Sequence, residues 1–411
     1  MQQDFVDKQF FNLTMFTLIF GVIFYDIIDL LGFSYVDEIC ASLLFLLFGY
    51  NAFKSPTWGF DRRFLYVIGV FVFYLIYSIA IGSNTIGAIL MDFVIQIKPY
   101  LAFFCVYAIH PRLTDNRKNI IRQTILICSL YVFIIGAAGV FSEDVIEYAF
   151  GHDSRLATAS SILALFYLYC SNYTKTDKII FALILALGIF SGRSKHFGFF
   201  ILCVSMAFYF TKSSRMKFNL KNITILSAVV GLTVLVAWDK IYLYFVTGGF
   251  GGGRAANELY ARMALYYFAT QILMDYIPFG CGFASYGTFA SASSYSPIYV
   301  KYGMNSMHGL SKSAPDFVTD TYYPVLAQFG FVGIFLFFLF WINMAKRAVK
   351  AFLNGFHKES LIALTIIAFF LIECTSDSTL THNRGMFMMM LLGLLFSDIK
   401  LKERDESIAC K

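Results

Sequence analysis

The chain has 411 residues, of which 58% are hydrophobic and only 14% are charged, and its mean hydropathy is +0.68. A water-soluble core of this size does not need so much apolar surface, so the composition excludes a soluble globular protein and indicates an all-α, polytopic membrane protein. The net charge of +6 comes without a clustered basic surface with interleaved aromatic residues, which argues against nucleic acid as a partner.

Apolar runs long enough to cross a membrane recur along the chain, since a helix needs roughly 20 residues to span the hydrocarbon core. We predict about twelve transmembrane helices and treat residues 1–411 as a single integral membrane domain. The first apolar run is too long for a cleavable signal peptide and follows the acidic stretch MQQDFVDKQF, so we expect it to stay in the protein. The predicted spans are 12–33, 37–54, 64–83, 86–109, 120–141, 156–173, 178–192, 196–212, 222–245, 323–345, 359–376 and 381–398.

Most of the 32 basic residues collect in alternate loops, at 54–63, 112–122, 175–178, 212–221 and 346–358. Short cytoplasmic loops retain cations. This pattern predicts that both termini are cytoplasmic.

The stretch GIFSGRSKHFGFF at 188–200 carries Arg193, Lys195 and His196. In the predicted topology it lies on the outer side of the membrane, opposite to the cytoplasmic loops. From Lys178 to Arg193 the helix is about 22 Å long, short of the roughly 30 Å core. These side chains are therefore expected slightly below the outer interface, where a cation is costly without an anion. Either they reach lipid phosphates or a carboxylate on a neighbouring helix, or they form a recessed anion pocket suited to a phosphate group.

The fourth predicted span contains two charges, Asp92 and Lys98, six positions apart. Residues at this spacing do not share a helix face, so we expect each to find a partner on another helix. The Lys98–Pro99 step is expected to break the helix.

Residues 246–322 form a predicted large outer loop between helices 9 and 10. Its glycine-rich start, TGGFGGGRAAN, has no preceding strand and no lysine–serine ending, so we interpret it as a hinge rather than a phosphate loop. The following NELYARMALYYFATQILMD has helical spacing, carries Arg262 and is expected at the outer interface. The rest is polar and rich in serine and tyrosine, consistent with a sugar groove or an ordinary solvated loop.

The turn IECTSDSTLTHNRGMF brings Glu373, Asp377, His382 and Arg384 within twelve positions. Arg384 either pairs with Glu373 or Asp377 or adds to an outward anion site. His382 has no partner at i+4, and no cluster has metal-ligand spacing, so we predict no metal and no cofactor.

Three passages resemble the O-antigen polymerase and O-antigen ligase superfamily, membrane glycosyltransferases of bacterial surface polysaccharide assembly. FSGRSKHF is similar to the family's Ser-Gly-Arg turn. ARMALYYFATQILMDYIPFGCGFASYGTF is similar to its pattern of an Arg, a helix and a Pro-x-Gly-x-Gly step. TDTYYPVLAQFGFVGIFLFF is similar to its Asp or His at the start of a helix followed by a Gly-x-x-Gly turn. About twelve spans with one late outer loop also agree with the family.

The resemblance implies a glycosyltransferase-C-like fold in the bacterial inner membrane and a metal-independent glycosyltransferase. The implied partners are an undecaprenyl-pyrophosphate-linked oligosaccharide donor and acceptor and membrane lipid. A chain-length regulator protein is a further candidate partner. At the position of the ligase branch's catalytic His, this chain has Thr319 or Asp320, and His308 lies eleven or more residues earlier. This departure favours the polymerase branch.

The resemblance implies that Arg193 and Arg262 contact the pyrophosphate of the lipid-linked glycan. We add Lys195 and Arg384 as further candidates for binding this pyrophosphate. His308, Asp320 and His382 are the candidates for activating the acceptor. Tyr286 and Tyr322 are the candidates for contacting the glycan.

Three other functions stay open. One is an O-antigen ligase-type transferase. Another is a peptidoglycan-type glycosyltransferase with Asp320 as its carboxylate base. The third is a secondary transporter or lipid-linked glycan flippase, although such folds usually have two similar halves around a midplane site, which the late long loop disfavours.

Overall fold

A computed structural model describes residues 2–33, 35–54, 62–209 and 254–409, with a few single positions between 224 and 235. Every regular element in these ranges is helical, and the described residues contain no β-strand. Most of the predicted ninth span, the basic stretch 212–221 and the glycine-rich run 248–253 lie outside the described residues.

Each of the other predicted spans overlaps a helix of the structure, and the first, 12–33, covers the end of one helix, a π-helical segment and a second short helix. The helices are α1 Gln2–Phe16, α2 Tyr25–Leu30, α3 Val36–Lys54, α4 Arg62–Ile81, α5 Ile86–Ile109, α6 Asp115–Gly139, α7 Glu143–Phe150, α8 Asp153–Cys170, α9 Lys175–Ala186, α10 Ser194–Phe208, α11 Arg254–Asp275, α12 Phe289–Ser293, α13 Pro297–Lys301, α14 Gly330–Leu353, α15 His357–Glu373 and α16 Asn383–Ala409. Three shorter segments adjoin them. A π-helical segment, Thr17–Ile23, follows α1, a 3-10 turn, Leu187–Ser191, follows α9, and a 3-10 segment, Pro324–Phe329, precedes α14.

Six of these helical stretches are long and apolar enough to cross a membrane. The expectation of an all-α membrane protein is therefore confirmed, whereas the number twelve stays a prediction. The six stretches are Gln3–Ile23, Val36–Lys54, Arg62–Ile81, Ile86–Ile109, Asp115–Gly139 and Pro324–Leu353.

Both described ends of the chain lie at one end of the helix bundle. The Gln3 amide donates to the His110 carbonyl oxygen at 3.3 Å, and Lys400 Nζ lies 3.2 Å from His110 Nε2. We call this the terminal end. The opposite end carries residues 276–329, and we call it the loop end.

Helices α5 and α16 form the centre of the bundle. They approach closely at Gly393, where an added Cβ would lie 2.5 Å from the Phe103 carbonyl oxygen. Small residues permit such backbone contact between membrane helices. Because α5 is packed against α3, α4 and α16, it stays continuous through Pro99, and the predicted break there is wrong.

The two charges of α5 meet different partners, but only Lys98 has the expected partners on another helix. Lys98 is paired with Asp37 and with Glu38, the latter at 2.9 Å, both on α3. Asp92 is fully buried and accepts a 2.7 Å hydrogen bond from the Ala284 backbone N–H, in the segment at the loop end. Asp92 thus fixes that segment to the bundle.

The segment at the loop end is a folded unit with its own core. The helix predicted in this segment is present as α11, and its place at the outer interface stays a prediction. Helix α11 packs with α13 and the turns around a cluster of buried side chains. The Asn84 side-chain amide donates to the carbonyl oxygens of Ala284 and Ser294 at 2.8 and 2.7 Å. These polar contacts add to the anchor at Asp92. The fully buried members of the cluster include Ala261, Leu265, Ile272, Tyr286, Tyr299, Met304, Leu310 and Val318.

We expect Asp92→Ala to loosen the segment at the loop end, because the buried Ala284 N–H loses its acceptor at a cost of about 1–3 kcal/mol. The variant should unfold at a lower temperature in detergent and be cleaved faster by protease within 276–322. Asp144→Ala, which removes an exposed aspartate of α7, is the control and should behave as wild type. Equal cleavage rates for Asp92→Ala and wild type would contradict this anchor.

Candidate functional site

A single turn at the loop end, residues 374–382 between α15 and α16, is where several distant segments meet. The Cys374 carbonyl oxygen accepts a 3.2 Å hydrogen bond from the Tyr322 backbone N–H. The Ser378 hydroxyl donates to the Thr319 carbonyl oxygen at 2.6 Å. The end of the long loop is therefore held against this turn.

Lys195 is bound by two acids, Glu373 at the end of α15 and Asp377 in the turn. Its Nζ lies 2.6 Å from Glu373 Oε2 and 3.6 Å from Asp377 Oδ2, and its side chain is 14% exposed. Gly192, with φ of 61°, turns the chain from the 3-10 segment into α10 and delivers Lys195 there. Burial acts to raise the pKa of Asp377, but the Lys195 ammonium and the nearby His382 hold that pKa well below its usual value.

Arg193 lies next to this group but faces α8. Its guanidinium nitrogen is 2.8 Å from His152 Nε2 and 3.7 Å from Asp153 Oδ2, and the side chain is 20% exposed. Of the predicted pyrophosphate ligands it is the most accessible.

Arg262 reaches the turn from α11. It lies 3.2 Å from Asp320, and the two side chains are 12% and 21% exposed. One helical turn later, Tyr266 donates to the Thr375 carbonyl oxygen at 2.7 Å. Two predicted site residues, Arg262 and Asp320, thus form a pair beside the turn that holds Lys195.

Arg384 is in a different environment from the other three cations. It lies 2.5 Å from Asp26 Oδ2, while Arg155 contacts the other oxygen of Asp26. The suggested pairing with Glu373 or Asp377 is therefore wrong, because those acids are taken by Lys195. At 3% exposure Arg384 is closed to a headgroup and serves to join α16 to α2.

The candidate histidines are placed apart. His382 is half-buried in the turn. His308 is exposed in the loop segment, with its ring centroid 6.1 Å from that of Phe317. Of the two, His382 is the one that lies with the cations.

The two candidate tyrosines are core residues. Tyr286 is fully buried and donates to the Leu265 carbonyl oxygen at 2.6 Å. Tyr322 is 3% exposed and donates to Gln96 Oε1 at 3.0 Å. Neither ring is open to a glycan from the loop-end surface, and neither belongs to an ordinary solvated loop. Both hypotheses for these residues are therefore corrected by their burial.

The cations described above are matched by an equal number of carboxylates. Five basic side chains and five carboxylates share the contacts described above, so the group is not a preformed cationic pocket. The alternative that these cations pair with carboxylates of neighbouring segments is the one the structure shows. The paired ions are Arg155, Arg193, Lys195, Arg262, Arg384, Asp26, Asp153, Asp320, Glu373 and Asp377.

Sequence reasoning missed Asp26 and the role of Asp153. Asp26 lies inside the predicted first span, and a carboxylate within an apolar run is itself a signal of a buried partner. Asp153 gave no such signal, since it is one of several acids near the start of α8.

Over the described ranges, no group of three or more His, Cys, Asp and Glu side chains is arranged to hold a metal ion. No protein-family model matches this sequence, and no curated protein matches it significantly. The functional argument therefore depends on the residues themselves.

Lys195→Met should destabilise the protein by about 3 kcal/mol or more, because it leaves Glu373 buried without its partner. The double variant Lys195→Met/Glu373→Gln should recover a large part of this loss. The measurement is the unfolding midpoint of each variant in detergent. If the double variant is no more stable than the single one, the two residues are not coupled as described.

Proposed function

We propose that the chain is a polymerase of bacterial surface polysaccharide, an O-antigen polymerase or similar. In this proposal it transfers an undecaprenyl-pyrophosphate-linked glycan to an incoming lipid-linked repeat unit at the outer face of the inner membrane. It has about twelve spans in a glycosyltransferase-C-like arrangement, cytoplasmic termini and a periplasmic segment at 246–322. The loop end then faces the periplasm.

The observation that supports this proposal best is the convergence of Arg193, Lys195 and Arg262 at one end of the bundle. Lys195 lies on α10, Arg193 directly precedes that helix and Arg262 lies on α11. Each pairs with a carboxylate at the loop end. A lipid-linked pyrophosphate leaving group requires cations at the membrane surface to stabilise its developing charge. Their accessibility of 12–20% separates them from the closed Arg384.

In the proposed reaction the pyrophosphate exchanges places with carboxylates. The Arg193–Asp153 and Lys195–Asp377 contacts are loose, at 3.7 and 3.6 Å. A guanidinium binds two phosphate oxygens at once, which favours the exchange. If Arg262 turns to the pyrophosphate, Asp320 is released as a carboxylate base.

The bond changes are then simple. The bond between the donor sugar's anomeric carbon and the pyrophosphate oxygen breaks, and the acceptor hydroxyl oxygen forms a bond to that carbon. The hydroxyl proton passes to Asp320, and the cations hold the departing undecaprenyl pyrophosphate. We propose a metal-independent reaction, because the sequence has no cluster of residues at metal-ligand spacing.

Arg193→Ala and Arg262→Ala should each abolish long glycan chains on a polysaccharide gel while the protein stays in the membrane. The physical reason is the loss of charge stabilisation on the pyrophosphate. Lys175→Ala, which removes an exposed cation at the terminal end, is the matched control and should leave chain lengths unchanged. Wild-type chain lengths from either arginine variant, with protein present, would exclude this role.

A second candidate, a flippase or transporter for lipid-linked glycan, is favoured by one observation. Lys98 lies in the middle of the 24-residue α5, is 4% exposed and is bound between Asp37 and Glu38. Ionisable groups at such depth are typical of transport pathways.

The two candidates predict different fates for single-repeat lipid-linked glycan in a deletion strain. Loss of a polymerase leaves it on the outer leaflet, whereas loss of a flippase leaves it on the inner leaflet. Labelling of intact spheroplasts with a membrane-impermeant sugar-oxidising probe locates it. We expect labelling without permeabilisation, and labelling only after permeabilisation would favour the flippase.

A further inference from the structure

An apolar groove runs along the bundle between α4, α5 and α14, away from the ion pairs of the loop end. Its volume is about 640 Å³. Its middle is lined by aromatic and aliphatic side chains, and its inner end lies at the hydrogen-bonded pair Gln96 and Tyr322. The middle of the groove includes Val67, Val70, Phe71, Phe104, Leu336 and Phe340.

The groove opens sideways, toward the surface that the bundle presents to lipid. Tyr66 and Leu339 on its rims are 72% and 38% exposed. Helix α4, which forms one wall, has few buried residues along its whole length. A molecule can therefore enter from the membrane without passing through the protein.

The end of the groove at the terminal end of the bundle is basic. Arg63, Lys346 and Arg347 line it, and none of the described lining residues is acidic. Arg347 is held in place by donating to the Tyr107 hydroxyl at 3.0 Å.

The dimensions fit one acyl chain. From Gly333 to Arg347 the lining follows α14 for about 21 Å, and one leaflet of the hydrocarbon core is about 15 Å thick. The groove is therefore long enough for one acyl chain of a single leaflet to lie along α14.

We propose that this groove binds an anionic phospholipid, with one acyl chain along α4 and α14 and the phosphate among Arg63, Lys346 and Arg347. The apolar lining accepts the chain, and the basic end selects the charge of the headgroup. The proposal does not depend on the polymerase function. Its lipid comes from the leaflet at the terminal end, opposite to the ion pairs at the loop end.

The test uses the full-length protein purified in detergent and measures bound lipid by native mass spectrometry. The probes are phosphatidylglycerol and phosphatidylcholine with identical acyl chains, and a polyprenyl phosphate. The variants are Arg63→Gln/Lys346→Gln, which removes charge, and Val67→Trp, which fills the groove. Lys350→Gln, an exposed cation of α14 outside the groove lining, is the matched control.

We expect phosphatidylglycerol to bind at least tenfold more tightly than phosphatidylcholine. Each neutralised cation should weaken it about fivefold, the ratio that corresponds to about 1 kcal/mol per basic residue near an anionic surface. Val67→Trp should weaken both phospholipids, and Lys350→Gln should change neither.

Three results would overturn the proposal. Equal binding of the two phospholipids would show that the basic end does not select charge. Unchanged phosphatidylglycerol binding in both groove variants, with a normal unfolding temperature, would place the lipid elsewhere. Stronger binding of polyprenyl phosphate than of phosphatidylglycerol would assign the groove to the carrier lipid.

Discussion

The assembly of this protein depends on one constraint: a charge inside a membrane helix bundle needs an opposite charge close by, because the bundle and the lipid solvate it poorly. The pair between Arg384 and Asp26 joins positions 358 residues apart and links the last helix to the first part of the chain. The contact of Lys98 with Glu38 does the same for α5 and α3. Removing one partner leaves a buried charge uncompensated, so each pair fixes the relative position of two segments more strongly than the same pair would at a surface.

The sequence predicted the positions of the helices well, because hydropathy is a local property and each span carries its own signal. It also singled out Arg193 and Lys195, since their distance from Lys178 could be compared with the thickness of a membrane. It could not give their partners. The choice between Glu373, Asp377 and Asp26 depends on which helices pack side by side, and this information is spread over the whole chain. For the same reason the break expected at Pro99 did not occur, since packing from neighbouring helices outweighs one lost hydrogen bond.

The segment at the loop end shows where composition misleads. Its serines and tyrosines suggested a polar surface, yet Tyr286 and Tyr299 are fully buried and form part of a core. Tyrosine has an apolar ring and a polar tip, so composition alone does not decide whether it is inside or outside. The hydroxyl of Tyr286 is satisfied by the Leu265 carbonyl oxygen, which makes its burial acceptable. Only the positions of α11 and of the neighbouring turns reveal that such an acceptor is available.

An anion would meet different charged side chains at the two ends of the bundle, and this difference determines which anion each end suits. At the loop end Arg193, Lys195 and Arg262 already have carboxylate partners, so an anion binds to them only if it replaces those carboxylates, and each replaced group must find water or another cation. An anion with one negative charge replaces one carboxylate by one similar contact, so the exchange yields little net binding free energy. A pyrophosphate reaches several cations at once, so the contacts it makes offset several that are lost. The ion pairs of the loop end thus suit the proposed multiply charged headgroup better than a singly charged one, whereas the three basic side chains at the end of the groove suit the single phosphate of the proposed phospholipid.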